Sequence, residues 1–490
     1  MTEVHVISSA TTGISSEYMH LILEALLAMA LAVAVYFHFA RKNSSTKSAE
    51  PEMPSLEEQQ RRIAAFRSQM FRANTEPSVN TEASNRAGVL TVEARNGCYI
   101  TIRNTSGDGC KEYLDLVTED YHSFSTHPVI VDVAKRIVVA YGVGSCGPRG
   151  FYGTIKPHMV AEKDIANFLG VEDSLIVSFS FATISTLISC HAGRSDYLVV
   201  DDGVNLAVHE GCALSRAIVL QYNHNDMTHL EELLQEVATK EAKEKKLSRR
   251  FVVTEGIFKN LGDMCNLPRI MELCDKYKFR IVLDDSCGFG CMGPTGRGTH
   301  EHFGIPTSCI DLYVGSLSQS LGAVGGFCAG EHVVVDYQRL TASAYIFSAS
   351  LAPFVTAGVS AGLKLLDEDQ TIPKRLQRSA SLFRSTIRNA KLNSDKIAMV
   401  ECCDDVSPIV VLRPTESYVK CHQQRVEEEL QEVVEAAKSK GVLITRHLYA
   451  SDEKCSNFPA LRAHVKGSAT EEELLNAAGV IIEAVRSVFS

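Results

Sequence analysis

The sequence predicts an α/β protein. A large domain with a mostly parallel sheet is followed by a smaller C-terminal α+β domain, and one N-terminal transmembrane helix precedes both. Three observations carry this reading. From about residue 125, nearly all-apolar strand-like runs alternate with helix-like ones, the pattern of a sheet covered on both faces. Beyond residue 351 long helices dominate, mixed with a few strands. Leu21 to Ala40 is one continuous apolar stretch.

That stretch, "LILEALLAMALAVAVYFHFA", reaches about 30 Å at ~1.5 Å per residue, one hydrocarbon thickness. Glu24 and His38 lie near its ends, and Tyr36, Arg41 and Lys42 suit an interface. No basic segment precedes it and "AVYFHFARK" is a poor cleavage site, so an anchor fits better than a signal peptide. The positive flank follows the span, which places the C-terminal bulk in the cytosol. Residues 1–20 are then a short lumenal N-terminus, 21–40 the transmembrane helix and 41–110 a linker and N-terminal arm. The large domain covers 111–350 and the small one 351–490. In the arm, "SLEEQQRRIAAFRSQMF" predicts a helix, with Ser55 and Glu58 as a capping box and Leu56, Ile63, Phe66 and Met70 as a stripe.

In the large domain "EKDIANFLG" predicts a helix, then "SLIVSFS" a strand. "DYLVVDD" and "AIVLQY" are strands around a helix at "GCALSRA". The helix "THLEELLQEVATKEAKEKK" leads to the strand "RRFVVTE", and "LPRIMELCDKYK" leads to "FRIVLDDS". In the small domain "SPIVVL" and "VLITRH" read as strands between helices.

Composition excludes some functions. The chain has 490 residues, 45% of them hydrophobic, and a net charge of −10. That charge, without any basic block interleaved with aromatics, argues against a general nucleic-acid binder. Fifteen scattered cysteines resemble neither a disulfide framework nor a zinc site. The close pairs are Cys287 with Cys291 and Cys402 with Cys403.

Ligands of open α/β sheets sit beyond the C-terminal strand ends. Asp284 ends "FRIVLDDS", and the turn "GSLSQSLGAVGG" follows the next strand. An acid at one strand end and an amine at a neighbouring turn is the arrangement that holds pyridoxal phosphate. A strand-end Asp also serves as a helix cap or turn former.

Longer motifs point further. "GSCGPRGFYGTIKPHMVAEKDIANFLG", "QYNHNDMTHLEELL", "VVTEGIFKNLGDMCNLPRIMELCDKYKFRIVLDDSCGFGCMGPTGRG" and "GGFCAG…VDYQRL…YIFSASLAP" resemble the α-oxoamine synthases. "GPRGFYGT" and "VDYQRL…YIFSASL" are similar, more narrowly, to the first long-chain-base subunits of serine palmitoyltransferase. The likeness spans roughly residues 110 to 490. It implies an aspartate-aminotransferase-like, pyridoxal-phosphate-dependent transferase fold. It also implies a heterodimer in which a lysine-bearing catalytic subunit binds pyridoxal 5'-phosphate and condenses L-serine with palmitoyl-CoA to 3-ketosphinganine. The setting it implies is the endoplasmic reticulum membrane, where small regulatory membrane subunits are further potential partners.

This chain departs from a catalytic member. The family's T-x-x-K-[SA]-x-G turn is "SLSQSLG", with Gln319 at the lysine position. A delocalised amide nitrogen forms no imine, so no catalytic residue is expected in this chain. Asp284 remains, but Cys287 replaces a His of the acid segment and Asn205, in "VNLA", stands at the ring-stacking His. Asp284 and Asn205 are thus vestigial cofactor-binding positions. Ser180 replaces a Gly of the phosphate seat. Ala460 replaces one Arg of a carboxylate clamp and Arg462 remains.

In "YGVGSCGPRGFYGT" the resemblance points to Cys146, Arg149 and Tyr152 as residues that complete a partner's site. Arg149 is the expected donor to a phosphate or carboxylate there. His158 reads as a capped or buried structural histidine, and Asp226, after His224 and Asn225, as a helix cap. Two alternatives stay open: a self-sufficient synthase that uses Lys259 as its amine, and a lipid- or acyl-CoA-binding pseudoenzyme without an enzyme partner.

Overall fold

The computed structural model of the chain describes residues 90–103, 109–244, 247–422, 425–447, 453 and 459–490. The expected transmembrane helix at 21–40, the lumenal residues before it and the helix with Ser55 and Glu58 lie outside the described residues. Among the described residues no helix is long and apolar enough to cross a membrane.

Seven strands form the large sheet: β4 (Asp173–Val177), β5 (Tyr197–Asp201), β6 (Ile218–Tyr222), β7 (Arg250–Glu255), β8 (Arg280–Asp284), β9 (Leu312–Ser316) and β10 (Gly326–Gly330). Their order is β4-β10-β9-β8-β7-β5-β6. The β5–β6, β5–β7, β7–β8 and β8–β9 pairs are parallel. Only β10 runs against its neighbours, β4 and β9. β5, β9 and β10 are buried along their whole length, and edge strand β6 is largely exposed. A strand covered on both faces has no polar side to alternate with, which is why these runs read as nearly all apolar.

The connecting helices obey local signals. Asn266 caps Leu267–Tyr277 by accepting from the Arg269 amide at 3.3 Å, and Pro268 sits in the first turn. Asp226 caps Met227–Glu244, its Oδ1 accepting from the amides of Thr228 and His229 at 3.0 Å each.

Residues 92–103, expected in the linker arm, form strands, and so does Cys110. β1 (Val92–Asn96), β2 (Tyr99–Arg103) and β3 (Cys110–Asp115) form a sheet completed by the parallel strand β13 (Val442–Leu443). Cys98, Leu114 and Leu116 join the same apolar cluster as Phe383, Val433 and Ile481 from the C-terminal helices. A half-apolar hairpin becomes stable only against such a surface. The expected strand "VLITRH" also divides at Ile444. Its first part is β13, and its second, β14 (Thr445–His447), pairs with β15 (Ala460–His464) in another sheet.

One buried charge ties these layers. Arg384 of helix Thr371–Asn389 is wholly buried and donates to four carbonyls: Ser407, Val400, Gly262 and Ile409. Gly262 has φ +73, and a Cβ there would fall 2.4 Å from the Ile409 oxygen. Arg384→Met would leave these acceptors dry and unpaired. We expect a loss of about 3 kcal/mol, read as a lower urea midpoint of unfolding.

Candidate functional site: a hydrogen-bonded network at the strand ends

The C-terminal ends of β5, β7, β8 and β9 bring Asp201, Glu255, Asp284 and Ser316 to one edge of the sheet. The turn after β9 carries Gln319, which is buried. It needs its glycines: Gly322 has φ +60, and a Cβ there would lie 2.3 Å from the Ser125 amide nitrogen. The loop before residue 125 therefore seats directly on the turn. The Tyr121 amide donates to the Gln319 carbonyl at 2.9 Å.

Both ends of the Gln319 side chain are spent inside the protein. Its Nε2 donates to Glu119 Oε2 at 2.9 Å, and its Oε1 accepts from Ser318 Oγ at 2.8 Å. Glu119 in turn lies 3.0 Å from Lys259 Nζ. Burial pulls the Glu119 carboxyl up, but the Lys259 ammonium and Arg462 guanidinium outweigh it and hold it below the usual range. Burial likewise disfavours charge on Lys259, and Glu119 restores it, leaving the ammonium above its ordinary value. Arg462 Nη1 donates to the Lys259 carbonyl at 3.2 Å.

The network continues through Lys259 to the strand ends. The Lys259 amide donates to Glu255 Oε2 at 2.9 Å, and the Asn205 amide to Glu255 Oε1 at 2.5 Å. The Asn205 side chain caps helix Leu206–Ser215 through Oδ1 and turns Nδ2 to Asp284 Oδ2 at 3.4 Å. Asp284 Oδ1 accepts from the amide and hydroxyl of Ser286, at 3.1 and 2.5 Å. Burial, then the neighbouring Asp284, pushes Glu255 up to about 8. Burial also raises Asp284. Cys287 is buried beside these acids, and burial drives its thiol far up.

Gln319, Asp284, Asn205, Lys259, Arg462 and Cys287 therefore meet in one place. Sequence reasoning missed Glu119, which joins them, and Glu255. Nothing local in "VTEDYHS" marks Glu119, because its partners come from distant parts of the chain.

Cys146, Arg149 and Tyr152 share no hydrogen bond with this network among the described residues. Their loop is strapped to the motif near residue 350. The Ser350 amide donates to the Gly147 carbonyl at 2.9 Å, and Ser145 Oγ to the Ser350 carbonyl at 2.7 Å. Tyr152 is 92% exposed, and Cys146 is exposed with φ 61. Arg149 differs from expectation. It is buried and gives both guanidinium nitrogens to Glu162, at 2.7 and 2.9 Å, and Nε to Thr154 Oγ1 at 3.1 Å. A buried guanidinium needs acceptors for its N–H groups, and Glu162, one helix on, supplies two together with a counter-charge. The Glu162 pair and the burial hold this guanidinium inside its own chain.

His158 is structural, with Nε2 2.7 Å from the Leu351 carbonyl oxygen and Nδ1 accepting from the Ile155 amide at 3.2 Å. His224 is more than part of a turn: it bridges Asp201 and Asp263 at 2.8 Å each.

Comparison with known proteins agrees with this architecture. Residues 111–481 match the family described as aminotransferase class I and II. "Serine palmitoyltransferase 1" of Dictyostelium discoideum is 34% identical over 396 residues, covering 80% of each chain. Its namesake in Saccharomyces cerevisiae is 32% identical over 484 residues, 91% of this chain and 86% of that one. This chain belongs to the aminotransferase class I and II family, in its serine palmitoyltransferase 1 branch. Among solved structures, a serine palmitoyltransferase from S. paucimobilis with a bound PLP–myriocin aldimine superposes with a TM-score of 0.74 at 22% identity, covering 87% of this chain and 98% of that one. An SPT with the PLP internal aldimine superposes with a TM-score of 0.72 at 23% identity, covering 84% and 96%. At such identity these show the fold.

The residues present do not fit a covalently held pyridoxal phosphate. The turn offers an amide where an amine is needed, and Glu119 holds that amide. The Asp284 carboxylate is already engaged by Ser286 and Asn205. Lys259, the nearby amine, is an ammonium paired to Glu119.

Two predictions follow from the network and its neighbour. Glu119→Gln should strand the Lys259 charge and cost roughly 1–2 kcal/mol at neutral pH, between exposed and buried pairs, measured by urea unfolding. In His224, burial opposes the charge, but Asp201 and Asp263 overcome it and raise the ring to about 10. Its stabilisation is complete below the ordinary histidine value and lost as pH rises through about 10. The stability gap between the native chain and His224→Ala should narrow over that window and stay flat below it.

Proposed function

We propose that this chain is the non-catalytic subunit of a serine palmitoyltransferase. It pairs with a related, lysine-bearing subunit, and together they condense L-serine with palmitoyl-CoA to 3-ketosphinganine, the first step of sphingoid-base synthesis. The observation that carries this is Gln319: a chain of the serine palmitoyltransferase 1 branch has an amide at the reactive turn, bonded to Glu119. The pyridoxal phosphate of the complex, on this reading, belongs to the partner. The Glu119–Lys259 pair argues against the self-sufficient alternative, since an ammonium held by a carboxylate is not a free nucleophile.

The chain then acts through its surface and its anchor. Phe151 and Tyr152 are 66% and 92% exposed on a loop fixed at both ends. A large aromatic held out into water is costly unless a partner covers it, and tyrosines are frequent binding hot spots. We assign Tyr152, with Cys146 beside it in the loop, to the partner interface. The apolar run 21–40 supports a single-pass anchor in the endoplasmic reticulum membrane with the C-terminal bulk cytosolic. Small regulatory membrane subunits would dock on that span.

Coexpression with a lysine-bearing homologue tests the reading. The pair should copurify and consume serine and palmitoyl-CoA. The chain alone should show neither turnover nor aldimine absorbance; turnover by the chain alone would refute it. Tyr152→Ala should weaken subunit association about tenfold or more without lowering this chain's own melting temperature. An isothermal titration of the two subunits checks this.

A further inference from the structure

Cys402 and Cys403 are adjacent in sequence and differ in setting. Cys402 packs in an apolar cluster with Cys287, Cys291 and Met292, whereas Cys403 is exposed. Cys402 Sγ lies 3.2 Å from the Cys403 carbonyl oxygen. The pair thus consists of a buried thiol and an accessible one.

The turn that presents them is held under strain. Asp404 and Asp405 have φ 60 and φ 54, a left-handed conformation that costs a non-glycine residue about 1 kcal/mol or more. Charged groups hold it there. Arg388 donates to Asp405 at 2.5 and 2.6 Å and to Glu401 at 2.5 Å, and His302 Nε2 lies 3.0 Å from Asp404 Oδ2. The backbone that follows the two cysteines is therefore held in one conformation.

Covalent geometry decides what such a pair accepts. Consecutive Cα atoms stand about 3.8 Å apart, less than the roughly 4.4 Å that an unstrained disulfide requires. A direct sulfur–sulfur bond is disfavoured, and one bridging atom between the sulfurs relieves the mismatch. We propose that Cys402 and Cys403 form a vicinal dithiol site for a thiophilic trivalent centre, of the class of monosubstituted arsenoxides. In the condensation two S–H bonds break and two As–S bonds form. The arsenoxide oxygen leaves as water with both protons, and no atom changes oxidation state. Cys403 makes the first bond; closure by Cys402 is intramolecular and favoured by the fixed turn. The other close pair, Cys287 and Cys291, is buried on both sides.

The test uses the full chain and phenylarsine oxide. One arsenical per chain should map to the peptide holding both cysteines, resist excess monothiol and leave on addition of a 1,2-dithiol. Cys403→Ser, at an exposed position, and Cys402→Ser should each reduce retention at least tenfold with unchanged circular dichroism. Equal retention by the Cys403→Ser variant, release by monothiol, or mapping to any other cysteine would overturn the proposal.

Discussion

The hydrogen bond from Gln319 to Glu119 is the contact around which the rest of the site is organised. A buried side-chain amide must find an acceptor, and a half-buried carboxylate that accepts from it is steadied by a cation within reach. Glu119 meets the first need and Lys259 the second. Lys259 also gives its backbone amide to Glu255, so one residue joins the reactive turn to the acids at the strand ends.

The same logic separates the two groups of candidate residues. Those at the strand ends are joined by hydrogen bonds and have turned inward. Those in the glycine-rich loop are held by the segment around residue 350, which strengthens two motifs far apart in sequence by packing one on the other. Within that loop Arg149 belongs to the interior through Glu162, while Tyr152 projects into solvent. A loop with a fixed base and an exposed aromatic tip is suited to recognition, because little conformational freedom remains to be lost on binding.

The acids left behind are not inert. Glu255 and Asp284 share a dry edge of the sheet: burial raises both, and the neighbouring Asp284 raises Glu255 further. In a cofactor-bearing relative a positive ring nitrogen would offset the acid at this position. Here Asn205 and Ser286 take up the hydrogen-bonding capacity of Asp284 without supplying charge.

Much of this was legible in the residues themselves. The parallel strands and their helices follow from apolar runs and caps, which are local. Gln319 at the reactive turn and Asn205 and Cys287 at altered positions could be named from motifs alone. The sequence could not reveal that Glu119 closes the site, because burial alone makes a carboxylate seek distant partners such as Gln319 and Lys259. Nor could it show that Arg149 faces inward, since an arginine in a loop becomes structural only when the fold sets a glutamate against it. Strands β1 to β3 and the split at Ile444 were decided likewise, by a sheet assembled from opposite ends of the described chain. Chemistry that depends on the identity of one side chain was set by the sequence; whatever depends on a buried charge finding its partner was set by tertiary structure, because only packing removes the water that would otherwise satisfy it.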